Sequence, residues 1–501
     1  MNLKAFGPPI FLSSKFNHIM ENLVKLVTSP NRTSISIAVL ACLAAVSSLS
    51  AYAGTVTLNP GANVQAAVNA APAGTLFRLT AGVYRMQSVK PKAGDAFSGS
   101  GVVDFNGSQV LSFKASGSQY VASAKFDNFQ HGNCLPAYPL CGWDQDLFID
   151  SVLQTKATSQ SGLKAGSWYY DHANNAVYIP TNPAGHTVEL GMSTYAFYGN
   201  APNVTISGIT VEKYANPAQT GALGGDGPGW ANGLGAGWVF ENCESRFNHG
   251  SGAYLGSGDK IYKCYVHHNG QQGIKATGTN VNIIDNEISW NNQDGFDTGI
   301  EGGGGKIMGT TNLLFQSNYV HDNIGEGLWA DTDNIYTTYE DNTFANNQNG
   351  GLMHEISYNA VIKNNTFLGN APNQLIWMEN GQILVQNSPN VEVYNNNVQV
   401  PATGGNGITV VNQNRGSGKY GSYTATNDYV HNNLITYLGT TGYTGIGDDT
   451  NPHASNGITF DYNKYVVTGG GTKHWFWYYD MVWSQMTGTG KQELHGQMQI
   501  K

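Results

Sequence analysis

Part of the chain repeats itself, and the length of the repeat leaves few folds open. Lys260–Ile274, Val281–Phe296 and Leu313–Leu328 share one plan. Apolar and polar residues alternate, an Asn-rich turn follows, and a Gly with an apolar residue closes the unit. The plan returns at Tyr336–Leu352 and Ala360–Leu375. The recurring Gly is read at 252, 273, 295, 327 and 351, in steps of 21, 22, 32 and 24. Alternation at period two marks strands with one face on a core. A unit of about 22 residues holding several short strands is one coil of a parallel β-solenoid. The step of 32 implies some ten extra residues around Glu301–Lys306, expected as a loop outside the coil. The Asn residues are read as turn residues whose amides stack between coils.

Composition agrees and narrows the function. Charged residues make up 12% of 501, half the globular norm of about 25%, and Gly numbers 63. Net charge is −9; residues 1–53 carry an excess of three positive charges, so the rest stands at −12. Four arginines remain there: Arg78, Arg85, Arg246 and Arg415. A phosphate-binding surface needs clustered Lys and Arg, so nucleic acid is excluded as a partner. A strongly anionic polysaccharide is disfavoured.

Ile35–Leu49 is apolar and small, Arg32 precedes it, and Ala51-Tyr52-Ala53 follows. This reads as a secretory signal cut after Ala53, with Met1 or Met20 as the start. The run is too short to span a membrane. A secreted or periplasmic monomer is expected, with no membrane span after cleavage. Export permits disulfides. Of the four later cysteines, Cys243 and Cys264 lie one repeat apart and should sit on adjacent coils.

Asn63–Ala71 reads as a short amphipathic helix, and Pro72–Tyr84 as a turn, a strand and a turn. A solenoid needs its open end capped, and this helix is placed to do so. Residues 107–199 break the repeat. Short strands are read at Trp143–Ile149, Gly166–Tyr170 and Ala176–Pro180, the last two antiparallel across Asp171–Asn175. The expected order is a signal peptide over 1–53, cap and first coil over 54–106, an inserted β subdomain over 107–199 with a Cys134–Cys141 bridge, a parallel β-helix over 200–465, and an aromatic cap over 466–501 around Trp475–Tyr479 and Trp483.

The capping helix, its continuation to Tyr84 and the Asn/Gly-rich coils resemble the right-handed parallel β-helix, or pectin-lyase-like, superfamily over about 55–105 and 200–465. That resemblance implies an all-β solenoid and a carbohydrate substrate. It leaves lyases, hydrolases, epimerases and adhesins open. The insertion resembles one found in β-helix glycosidases of the β-xylosidase type.

Register locates the candidate chemistry. Placing Ile274, Phe296, Leu328, Leu352 and Leu375 inward puts Lys275, Asp297, Trp329, Met353 and Ile376 in one outward column. The next outward column holds Thr277, Gly299, Asp331, Glu355 and Met378. Asp331 and Glu355 thus stand on consecutive coils, about 4.8 Å apart by strand spacing. Retaining glycosidases hold their two carboxyl groups about 5–5.5 Å apart. Stacked like charges raise one pKa, leaving one acid and one nucleophile. The resemblance to β-xylosidase-type glycosidases implies the same roles, Asp331 as nucleophile and Glu355 as acid/base. Trp329 is expected to stack on the sugar. Asp297, Lys275, Lys306 and Glu379 are expected substrate contacts, with Glu301 a reserve acid and His354 a core residue. No cofactor or metal is expected. Asp448, Asp449 and Asp461 read as loop acids that could take calcium. The alternatives are a polysaccharide lyase or uronate epimerase, with Lys275 or Lys306 as base, and a non-catalytic glycan-binding solenoid.

Overall fold

The computed structural model describes residues 52–126, 130–225, 233–373 and 377–501. The signal segment lies outside these except for its last two residues, as do Leu375 and Ile376.

From Thr205 onward the chain winds as a right-handed parallel β-helix. Each coil contributes three strands, typified by Lys260–Tyr262, Tyr265–His267 and Gln272–Thr279. Each strand pairs in parallel with its counterpart one coil on. Inward residues stack in columns. One runs Ile261, Ile283, Phe315, Tyr339, Ile362, Val393, Val430, Phe460, all fully buried or nearly so. In a neighbouring column the Phe344 and Phe367 rings lie face to face at 4.9 Å. Among the described residues no helix falls between 200 and 465.

The corners explain the Asn content. Asn248, Asn269, Asn291, Asn323, Asn347 and Asn370 form a buried ladder, each side-chain amide donating to the carbonyl of the next at 2.9–3.0 Å, ending on Gln382. A second ladder runs Asn286, Asn318, Asn342, Asn365, Asn396, Asn433, Asn463 and ends on Glu493. Cys243 and Cys264 occupy the two rungs ahead of it. Both are free and buried, and the Cys243 N–H donates to Cys264 Sγ at 3.3 Å, so the expected adjacency holds.

The recurring Gly is a consequence of the ladder. A Cβ on Gly327 would lie 2.6 Å from Gly351 O and 2.8 Å from the Asn347 amide nitrogen. The equivalent residue one coil earlier is Gly304, with Asn323 at 2.8 Å, and not Gly295. The extra residues of the long step therefore lie before the glycine run. Asn292–Gly302 forms the excursion, and Gly303–Thr311 is a strand paired with Gln272–Thr279. The sequence placed the loop at Glu301–Lys306 because Asp294-Gly295-Phe296 mimics the Gly-apolar close of a coil. Phe296 is buried, but in a separate cluster with Cys141 and Ala218.

The helix Val64–Ala70 caps the first coil, burying Val64 and Val68, with Asn63 accepting from Ala66 N at its start. Between the strands Ala96–Asn106 and Thr205–Ser207 the chain builds two small, mainly antiparallel sheets. Ser167–Asp171 pairs antiparallel with Ala176–Ile179, and Leu147–Ile149 begins later than the sequence suggested. Cys134 and Cys141 are bridged. At the other end Trp475 is buried against Tyr465 and Trp483, and Gln497–Ile500 closes the last coil.

A buried charge cluster docks the insert. His249 Nδ1 lies 2.9 Å from both Asp146 and Asp294, and Lys156 Nζ lies 2.6 Å from Asp146. Asp146, His249 and Asp294 could surround a metal ion in geometry, but Lys156 and a protonated His249 already supply its charge. Burial alone would lower the His249 pKa; the Asp146 carboxylate overrides it and raises it to about 9.

Two outcomes follow from these contacts. Asn323→Ala removes the acceptor of Asn291 N and the donor to Ile288 O, both buried. At about 1–3 kcal/mol per orphaned group, the urea midpoint should fall markedly; an unchanged midpoint would show the ladder to be incidental. His249 gains its proton on folding, so its contribution is complete below about pH 6.5 and disappears as pH rises through 9. Thermal unfolding scans from pH 6 to 10 should show a loss of roughly 3 kcal/mol, absent in His249→Gln.

Candidate active site

The third strand of each coil forms a parallel sheet that includes Gln272–Thr279, Gly303–Thr311, Glu326–Asp331, Gly350–Glu355, Gly381–Gln386 and Asn406–Asn412. Its register places Tyr254, Lys275, Lys306, Trp329, Met353, Leu384 and Thr409 in one outward column. Ala330 pairs with His354, so Asp331 and Glu355 are the next residues along two adjacent strands. The turn behind them is a third polar ladder. Asn334 donates to Asp331 O and to Ser357 Oγ, and Ser357 donates to Glu355 O. Both carboxylates are thus fixed at strand ends by the backbone.

Their surroundings differ. Asp331 Oδ2 is 2.9 Å from Lys306 Nζ, which also donates to Ile300 O and lies 3.8 Å over the Trp329 ring. Glu355 is almost fully buried. It accepts from Trp329 Nε1 at 2.9 Å and from the Arg415 guanidinium at 2.5 Å. Burial raises the Glu355 pKa; Arg415 opposes this and the charge of Asp331 adds to it. One face of Trp329 is covered by Lys306 and its edge is tied to Glu355, so the indole orients the two charged groups.

The remaining sequence candidates divide. Lys306 joins the pair directly, from a strand. Asp297 does not occupy the column one coil before Trp329; Lys306 does. Asp297 shapes the excursion, its carbonyl accepting from Ile300, Glu301 and Gly302 N. Gly299 and Met378 likewise leave the second column, where Met308 and Gln386 stand. Glu301 is buried as a clasp, accepting from Asn133 N and Gln219 Nε2. It ties the disulfide loop of the insert to the excursion. Lys275 lies beyond that clasp, bonded to Gln219 and packed over Tyr254. Glu379 faces the site from the other side, 3.4 Å from Gln413 Nε2. His354 is a core residue, its Nδ1 against Tyr339 OH. Asp448 is bonded by Thr450 and Ser455, and Asp461 by His495.

Sequence reasoning missed Arg415, Gln413 and Glu326. Arg415 comes from an excursion between Asn412 and Tyr429, pinned where Asp333 accepts from Lys419 N and Tyr423 OH. Its signal was a lone Arg in a segment that breaks the repeat. Glu326 pairs in register with Gly303 and Gly350; its signal was an acid in a column of glycines. Burial, then the charges of Glu355 and Glu379, push its carboxyl up to about 8.

A family model described as "Right handed beta helix region" matches residues 231–398. Among solved structures the chain is similar to a complex of XylC with xylose, at 16% identity and a TM-score of 0.63, covering 81% of this chain and 80% of that one. It is also similar to the A-module of the Azotobacter vinelandii mannuronan C-5 epimerase AlgE6, at 13% and 0.45, covering 87% and 92%. The periplasmic alginate epimerase AlgG follows at 12% and 0.43, covering 83% of each. A search of curated protein sequences finds no match. These likenesses concern the fold.

Removing Arg415 should leave burial and Asp331 opposed only by the Trp329 hydrogen bond. In Arg415→Ala the Glu355 carboxyl, followed by carbon NMR, should titrate at higher pH than in the parent. An unmoved or lower midpoint would mean that the guanidinium does not tune this acid.

Proposed function

We propose that the chain is a secreted retaining glycoside hydrolase that removes a neutral sugar from the end of an oligosaccharide or polysaccharide. The observation that carries this reading is the pair Asp331 and Glu355 on adjacent strand ends in unlike environments. Asp331, paired with Lys306, suits an ionised nucleophile. Glu355, buried and raised, suits a proton donor. Adjacent strands leave no room for a water between carboxylate and sugar, so attack is direct. Asp331 bonds to the anomeric carbon while Glu355 protonates the departing oxygen. Glu355, now ionised, takes a proton from a water whose oxygen attacks the anomeric carbon; the bond to Asp331 breaks, Asp331 leaves as a carboxylate, and the sugar departs with its configuration retained.

Charge and walls support the substrate class. Glu326, Asp331, Glu355 and Glu379 gather around two cations, Lys306 and Arg415, each already engaged by a carboxylate. Neither cation is free to take a uronate carboxylate, which weighs against the lyase and epimerase readings. The excursion carrying Ile300 and the Glu301 clasp stands across the column beside Lys306. On the far side Met378 packs on Leu384 and Val411. A site walled at both ends favours a chain terminus. The XylC complex holds xylose, so xylosides are the first substrates to test.

Asp331→Ala should reduce hydrolysis to background. Glu355→Ala should lose about 10²–10⁴-fold on unactivated substrates, keep slow turnover of activated aryl glycosides, and regain rate with azide. Proton NMR of the first product should show retention. Inversion would break the assignment of Asp331 as nucleophile, and unsaturated uronide products would move the chain to the lyases.

A further inference from the structure

Glu326 is an anomaly of the repeat. It opens the strand Glu326–Asp331 at a position held by Gly303 one coil earlier and Gly350 one coil later. Its side chain leans over Gly350, with one carboxylate oxygen 2.3 Å from where a Cβ would stand on that glycine. The residue is 8% exposed. Among the described residues no group bonds to its carboxyl. A carboxyl held largely out of water without a partner is costly, and an acid so perturbed in a cleft is a candidate functional group. The titratable groups that act on it are Glu355 on the next strand and Glu379 on the segment before Gly381. Asp331, Lys306 and Arg415 surround Glu355.

We propose that Glu326 is a substrate-binding residue whose carboxyl donates a hydrogen bond to a hydroxyl oxygen of the sugar held at Asp331 and Glu355. This rests on the glycosidase reading and adds a contact to it. The chemistry suits the place. Burial and two neighbouring carboxylates keep the proton on Glu326 up to about pH 8, so at neutral pH it is a donor where an ionised acid could only accept. A neutral donor among carboxylates selects a hydroxyl over a charged substituent. Gly350 leaves the space in which the carboxyl lies, so the Glu on one coil and the Gly on the next form one device.

The test measures binding, so it does not depend on turnover. Xylobiose is titrated calorimetrically into the full-length Asp331→Ala protein and into the same protein carrying Glu326→Gln or Glu326→Ala. At pH 6 the Gln variant, which keeps a neutral donor of similar shape, should bind within about threefold of the parent. The Ala variant should bind about tenfold more weakly, as expected for a lost hydrogen bond. Between pH 6 and 9.5 the parent should lose at least fivefold in affinity while Glu326→Gln stays level. Equal affinity in the Ala variant, or a Gln variant as pH-dependent as the parent, overturns the role of Glu326 and leaves the glycosidase reading standing. Should Glu326→Ala fail to fold, the pH comparison between parent and Gln decides alone. Full activity of Asp331→Ala on xylosides, or no binding of xylobiose to the parent, overturns the glycosidase reading and the proposal with it.

Discussion

The amide stacked at each corner is the contact on which the rest of the molecule depends. A ladder Asn such as Asn323 accepts from the backbone N–H and side chain of Asn291, and donates to Ile288 O and to Asn347. The residue before each rung sits in the left-handed region: Phe247, His268, Trp290, Asp322 and Asn346 on one ladder, Lys263, Asp285, Ser317 and Asp341 on the other. That conformation is uncommon for a bulky side chain, and it is held because the rung behind it is bonded on every side. Such corners turn the chain sharply and leave no polar group orphaned in the core. They also fix the vertical register, since a coil slipped by one residue would break every rung it touches.

Register carried upward becomes geometry at the surface. With coils locked in step, residues at the same offset form columns, and two carboxylates at one offset are held a strand spacing apart. The third ladder of Asn334, Ser357 and Ser388 does this for Asp331 and Glu355 directly. The carboxylate pair stands on regular strands, and the parts that surround it come from places where the coil is interrupted. The excursion Asn292–Gly302 and the hairpin around Arg415 leave the coil and return without disturbing the stack. The inserted subdomain is held to the first of these by Glu301 and by the Asp146–His249–Asp294 cluster.

Electrostatics in the site follow from burial. Few charges exist in the chain, so those present are not averaged by a crowd of neighbours. Glu355 and Glu326 are both raised, first by loss of water and then by nearby carboxylates. Lys306 and Arg415 divide between the two acids, one at Asp331 and one at Glu355, and Arg415 holds back the rise that burial imposes on Glu355.

How much of this was legible in the sequence depended on range. Alternation, coil length, the stacking Asn, the capping helix and the adjacency of Cys243 with Cys264 are properties of a local repeat. They follow from the sequence because every coil solves the same packing problem. The pairing of Asp331 with Glu355 is legible for the same reason, both acids standing four residues after a Gly that the ladder requires. Where the repeat is interrupted the inference failed. Gly295 imitates the recurring Gly, so Asp297 was placed in a column that belongs to Lys306, and Glu301 was read as an acid where it serves as a clasp. Only the tertiary structure brings Arg415 to Glu355 across 60 residues and encloses Glu326. Such contacts depend on how loops fold over a scaffold, and loop paths are set by long-range packing that no periodicity encodes.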